Sequence, residues 1–148
     1  MKKKIILLII VIVAIAAIVA YRMYSEKTPD VVDKKADVSV DVKTLLAAFD
    51  RDTASAIQTY LNKIVEVKGN IKSIDTSGAI VMGDEGGTSE VVVGLDRRHM
   101  KDYEMLRVGT TGTVQGVCSG YSKGGGDDLL ASLGTTVELR SAGVKKND

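Results

Sequence analysis

The stretch Tyr60–Asp75, YLNKIVEVKGNIKSID, constrains the fold more than any other part of this chain. It opens as the end of an amphipathic helix and passes directly into a strand. Val65, Val67 and Ile71 fall on one strand face; Glu66, Lys68, Asn70 and Lys72 fall on the other. Gly69 interrupts the apolar face, where a strand normally wants bulk. Glycine at such a position marks a bulge or a sharp bend at a barrel corner. The expectation is a small closed β-barrel.

The segments on either side extend that expectation. Asp41 reads as a helix N-cap, with Val40 and Leu45 at the spacing of a hydrophobic staple. Val42, Leu45, Leu46, Phe49, Ala56, Ile57, Tyr60 and Leu61 recur at three- and four-residue steps, which gives one apolar helical stripe. Asp50–Thr53 interrupts it and predicts a kink or break. Ile64–Asp75 is then the first strand, and Ser77-Gly78 turns the chain into a second at Ala79–Gly83. The turn DEGGT, Asp84–Thr88, leads to a third at Glu90–Gly94. Asp96–Leu106 reads as irregular or briefly helical. Thr110–Cys118 is a fourth strand and Thr136–Ala142 a fifth. The glycine-rich loop Gly120–Asp128 lies between them, with Leu129, Leu130 and Leu133 expected to plug one end of the barrel. Five strands in this order make a mainly β, OB-fold Greek-key barrel.

The helix entering YLNKIVEVKGNIKSID, the later GTTGTVQGVCSGYS and the closing VELRSAG resemble the tRNA-anti-like OB family. The resemblance runs over about Leu45–Ala142. That family consists mainly of small exported bacterial proteins, common among Bacteroidetes, with a leading helix and no established activity. The resemblance therefore implies an OB barrel and an exported location. It carries over no functional residues.

Ahead of the barrel, Lys2–Lys4 precede an unbroken apolar run from Ile5 to Ala20, followed by Tyr21, Arg22, Met23 and Tyr24. The run alone spans roughly 24 Å as a helix. With Tyr21–Tyr24 it approaches the roughly 30 Å of a bilayer core. The leading lysines favour an amino terminus in the cytoplasm and a domain outside it. The competing reading is a cleaved signal peptide, although Ile18 occupies a position that prefers a small residue. The expected organisation is a membrane anchor or signal segment at 1–24 and a polar tether at 25–40. The helix and OB barrel then fill 41–142, and a charged tail follows at 143–148. Location is expected at the bacterial cytoplasmic membrane with the domain periplasmic.

Charge narrows the partner. Beyond Tyr24 the chain carries 16 basic and 19 acidic residues, a net −3. Nucleic-acid binders cluster Lys and Arg to neutralise phosphates. Here the nearest clusters are Arg97-Arg98 with Lys101, and Lys145-Lys146. OB domains that bind single strands stack bases on aromatic side chains. The second and third strands read AIVMG and EVVVG, without one. Tyr121 is the single aromatic well placed for a ligand. Nucleic acid is therefore an unfavoured partner, and a protein or glycan a favoured one.

Several motifs invite chemistry and fall short. Gly116–Gly120, GVCSG, matches a nucleophile elbow with cysteine. That elbow needs a strand–turn–helix and a downstream histidine, whereas His99, the single histidine, lies upstream. Cys118, the single cysteine, reads as a small apolar packing residue; it forms no intrachain disulfide. Gly124–Gly126 lacks the Lys-Ser/Thr of a P-loop. Asp84-Glu85 and Asp127-Asp128 lack the alternating spacing of a calcium loop. His99 has no sequence neighbour that suggests a metal or acid–base pair, and reads as a solvated or structural residue. No catalytic residue, metal ligand or cofactor is expected. The function expected is a membrane-anchored, non-enzymatic binding or assembly module for protein or glycan. The alternatives are a single-stranded nucleic-acid-binding domain and a small thiol enzyme using Cys118. Lys68, Asn70 and Lys72 are candidates for a contact surface.

Overall fold

The computed structural model describes residues 11–21, 30–124 and 134–146. Residues 11–21 are helical, and their apolar side chains, Ile12, Val13, Ile15 and Ile18 among them, are exposed. Among the described residues no helix is long and apolar enough to cross a membrane. The rest of the expected anchor lies outside the described residues.

The domain begins with strand β1 (Val38–Asp41) and helices α1 (Val42–Arg51) and α2 (Thr53–Tyr60). Strands β2 (Ile64–Ile74), β3 (Ala79–Met82) and β4 (Glu90–Leu95) follow. A 3₁₀ helix (Arg97–Met105) then leads to β5 (Thr111–Lys123) and β6 (Thr135–Val144). Neighbours run β1-β2-β3-β4-β6-β5, and β5 returns to pair with β2, which closes a ring of β2 to β6. The β4–β6 pairing is parallel; the other four contacts of the ring are antiparallel. This is the five-stranded barrel expected from the sequence, in OB order.

The closure depends on β2 being long and changing partners midway. Residues Ile64–Asn70 pair with β5, and Ile71–Ile74 pair with β3, with a register shift between Ile71 and Ser73. Gly69 sits just before this change. A Cβ on Gly69 would overlap Val42 at the start of α1, lying 2.8 Å from Val42 Cβ. The missing side chain therefore lets the helix seat directly on the bending strand.

Alternation along each strand fills the barrel. Val65, Val67, Ile71, Ile80, Met82, Val91, Val93, Val114, Cys118 and Val137 point inward with no exposed surface. Leu45 and Phe49 of α1 are equally buried and join the same cluster. Asp41 is the N-cap of α1 by position and extended backbone, without a side-chain bond. The helical stripe breaks where the sequence predicts it. Asp52 closes α1 through its N–H to Ala48 O and caps α2 by accepting the Ser55 N–H at 3.0 Å. The expected single leading helix is thus two short ones.

Three boundaries move. The stretch read as a polar tether through residue 40 contains β1, which pairs in parallel with Val65–Lys68 of β2. Its Val38 and Val40 alternate over too few residues to stand out in a polar segment, and β2 supplies the partner. The closing strand runs on through Val144, two residues into the expected tail. The fourth strand likewise extends to Lys123, so Gly120 is strand rather than loop. Leu129, Leu130 and Leu133, expected to plug the barrel, lie outside the described residues.

Candidate functional site

On an OB barrel the ligand face comprises the outer side of the second and third strands and the adjoining loops. Here those strands are β3 and β4. With Ile80, Met82, Val91 and Val93 inward, Ala79, Val81 and Val92 face out and are half-buried. Val81 pairs directly with Val92, and Val92 with Glu138 of β6. The exposed Arg140 stands farther along β6. At the β2 side Lys72 donates to Gly87 O at 2.9 Å and meets Glu90 Oε2 at 3.6 Å. The face is a short aliphatic strip with a charged frame. Lys72, a candidate for contact from the sequence, also ties the DEGGT hairpin to β2.

Lys68 lies elsewhere, on the outside of the β1–β2–β5 sheet. It lines an open concavity of about 570 Å³ with Ser39, Asp41, Glu66, Lys145 and Lys146. Three lysines meet two carboxylates there, and Glu66 is engaged by Ser39 Oγ at 2.8 Å and Lys145 Nζ at 3.9 Å. Asn70 borders a second hollow beside Gly69 and the start of α1. Lys68 lines that hollow as well, so the structure keeps Lys68 and Asn70 together and sets Lys72 apart from them, although the sequence placed all three on one strand face. The change of partners in β2 turns that face around the barrel.

Tyr121 does not present its ring to the β3–β4 face. It packs on Phe49, with ring centroids 5.1 Å apart, and covers the edge of the core. Cys118 points inward from the middle of β5. Burial pushes its thiol up to about 11, partly offset by the Gly120 N–H. A buried thiol with a raised pKa is a poor nucleophile. Gly116–Gly120 lies within one strand, without the turn and helix of an elbow. Gly124 donates to Gly134 O, and Gly125–Asp128 lie outside the described residues. Asp84 accepts the Gly87 N–H and meets Lys43 at 3.3 Å, as a hairpin turn residue would. Among the described residues no group of His, Cys, Asp or Glu is arranged to hold a metal.

His99 is a structural residue whose partners the sequence did not reveal. Its sequence neighbours offer it nothing specific, yet the fold gives it two carboxylates. Nε2 lies 2.7 Å from Asp30 Oδ2, and Nδ1 lies 2.9 Å from Asp102 Oδ2. Asp30 is 69 residues away in the chain, so no local pattern could reveal it. The i,i+3 spacing of His99 and Asp102 was the one available signal. Arg98 beside it forks onto Asp96, with Nε to Oδ1 and Nη2 to Oδ2 both at 2.9 Å. The basic Arg97-Arg98 pair is thereby drawn partly into a local ion network.

The chain matches the tRNA_anti-like family over residues 1–128 and belongs to that family. Among solved structures it is similar to a candidate nucleic acid-binding lipoprotein of Klebsiella pneumoniae subsp. pneumoniae MGH 78578. The two are 22% identical with a TM-score of 0.54, over 76% of this chain and 100% of the other. That likeness extends to the fold. Entamoeba histolytica asparaginyl-tRNA synthetase, in complex with asparaginyl-adenylate, is 15% identical with a TM-score of 0.35. The match covers 74% of this chain and 24% of the enzyme, too weak to support an argument. No curated protein matches the chain.

Proposed function

We propose that this protein is a non-enzymatic binding module that presents its β3–β4–β6 face to a protein partner outside the cytoplasmic membrane. The observation that carries the reading is the paired Val81 and Val92, framed by Lys72, Glu90 and Glu138. Such a strip gains affinity by burying apolar area and gains specificity from the charges around it. A glycan would need a hydrogen-bond partner for each hydroxyl it buries. Val81 and Val92 provide none, which favours protein over glycan. Nucleic acid would need aromatic platforms and clustered cations. The second reading, binding of single-stranded nucleic acid, draws on Lys68, Lys145 and Lys146 sharing one concavity. Asp41 and Glu66 in the same concavity oppose it. The placement outside the membrane rests on Lys2–Lys4 and the apolar run Ile5–Ala20.

A photo-crosslinking amino acid at position 92 of the full chain, expressed in its native membrane, tests the reading. The expected result is a discrete protein adduct that disappears when Val81→Lys is added. Crosslinking to lipid alone, or adducts indifferent to Val81, would count against it. Titration of the same chain with single-stranded oligonucleotides should show only weak, non-specific binding at physiological salt. Tight, salt-sensitive binding would reverse the ranking of partners.

A further inference from the structure

The segment leading into β1 lies over the outside of the barrel. Gln115 projects outward from β5 and is fully buried beneath it. Its Nε2 donates to Val31 O at 2.6 Å and to Lys34 O at 2.7 Å. Val31 is buried, and Asp37 exchanges two bonds with Ile64, giving its N–H to Ile64 O and accepting the Ile64 N–H. The far end of the segment is held differently. Asp30 meets His99 from one side, while Asp102 meets it from the other. Gly143 of β6 lies against His99 and Val32. A Cβ there would lie 2.9 Å from His99 Cγ and overlap Val32.

Chemistry dictates the charge state of this arrangement. An ionised carboxylate only accepts hydrogen bonds, and a neutral imidazole carries a single N–H. Both ring nitrogens of His99 can donate only if the ring is the imidazolium cation. The ionisable groups around it come from two elements. The overlying segment supplies Asp30 and also Asp33, whose charge acts on Arg98. The 3₁₀ helix supplies Arg98 and Asp102, and Asp96 caps its start, with Arg98 Nη1 3.9 Å from Asp30 Oδ2. β6 contributes the Val144 N–H, 3.3 Å from Asp102 Oδ2.

We propose that Asp30–Lys34 is a proton-gated strap: closed on the barrel while His99 as imidazolium bridges Asp30 and Asp102, and opened at its Asp30 end when His99 loses a proton. Asp102 stays in place on deprotonation, because it shares a helix with His99 and also accepts from β6. Asp30 is the partner that can leave. Val31 and Lys34 remain bonded to Gln115, so the opening is local.

The direction of the pKa shift agrees with the geometry. Burial pulls the His99 pKa down, but the hydrogen bond and charge of Asp30 and then of Asp102 outweigh it, and the net shift is upward. The strap is thus fully latched below the ordinary histidine value of about 6.5 and opens as pH rises through the higher folded value.

The test is histidine NMR on the full-length chain in detergent, with amide hydrogen exchange of Val32, whose N–H is held by Asp30 Oδ1, measured over the same pH range and corrected for intrinsic rates, and with Lys34, whose N–H is held by Val31 O in the part that stays closed, as the reference. The expected result is a doubly protonated His99 titrating above about 6.5, with Val32 protection falling about tenfold or more in parallel. Asp30→Asn should bring the His99 pKa down and loosen the strap at neutral pH. Gln115→Ala should loosen the strap while leaving the His99 pKa in place. A His99 pKa at or below about 6.5 in the wild-type chain, or strap protection indifferent to its titration, would overturn the proposal.

Discussion

Gly69 shows how one missing side chain shapes this barrel. Its position on the apolar face signals a bend, but the pressure on it comes from Val42, which occupies the space a Cβ would need. Gly69→Val should therefore overpack the α1–β2 contact and destabilise the chain by about 1–3 kcal/mol. Urea denaturation of the purified chain would measure this, and Gly94→Ala, where a Cβ would meet nothing closer than Leu139 O at 3.7 Å, is the comparison. His99 teaches the opposite lesson. Nothing within two residues of it offers a second carboxylate, so its role stayed hidden until Asp30 came into view. Cys118 was legible throughout, because a small, weakly polar residue in an alternating strand points inward whatever the rest of the fold does.

Elements are where alternation and periodicity spoke most clearly. The stripe from Val42 to Leu61 predicted a helix packed on the barrel, and Asp50–Thr53 marked its break. Asp52 serves both pieces, since it closes α1 and caps α2. Asp52→Ala should cost about 1 kcal/mol, the usual value of a cap. Phe49→Ala, which empties a fully buried site beneath Tyr60 and Tyr121, should cost about 3–5 kcal/mol. Thermal unfolding of the two variants side by side would check both sizes; equal losses would mean that α1 is not the lid of the core. β1 escaped notice for a physical reason. Four residues, of which two are half-buried valines, pair only because β2 offers a free edge beside its first half.

Across the molecule, the pH dependence of stability integrates these local charges. Burial opposes ionisation of Asp30, but the His99 hydrogen bond and neighbouring cations hold its carboxyl below the usual range. The Arg98 side chain and backbone hold Asp96 lower still. Both contributions are present above about 3.8–3.9 and are lost as pH falls through the lower folded values. His99, shifted upward, contributes below about 6.5 and loses its contribution as pH rises through its folded value. Stability should therefore peak between about 4 and 6.5 and decline on both sides. A series of denaturation midpoints across that range, with His99→Gln flattening the alkaline limb, would verify it.

Periodicity in this chain identified the five barrel strands, their inward residues and the broken helix, because those depend on contacts between near neighbours and on a pleat that repeats every two residues. The acidic balance beyond Tyr24 and the missing aromatics of β3 and β4 were legible for the same reason: they are properties of composition and alternation. Contacts across long stretches of chain were not. The strap over Gln115, the bridge of Asp30, His99 and Asp102, and the packing of Tyr121 on Phe49 join residues 69 to 84 positions apart or on different elements. No local pattern encodes such a meeting. Barrel closure brings the groups together, and their chemistry then decides what they do.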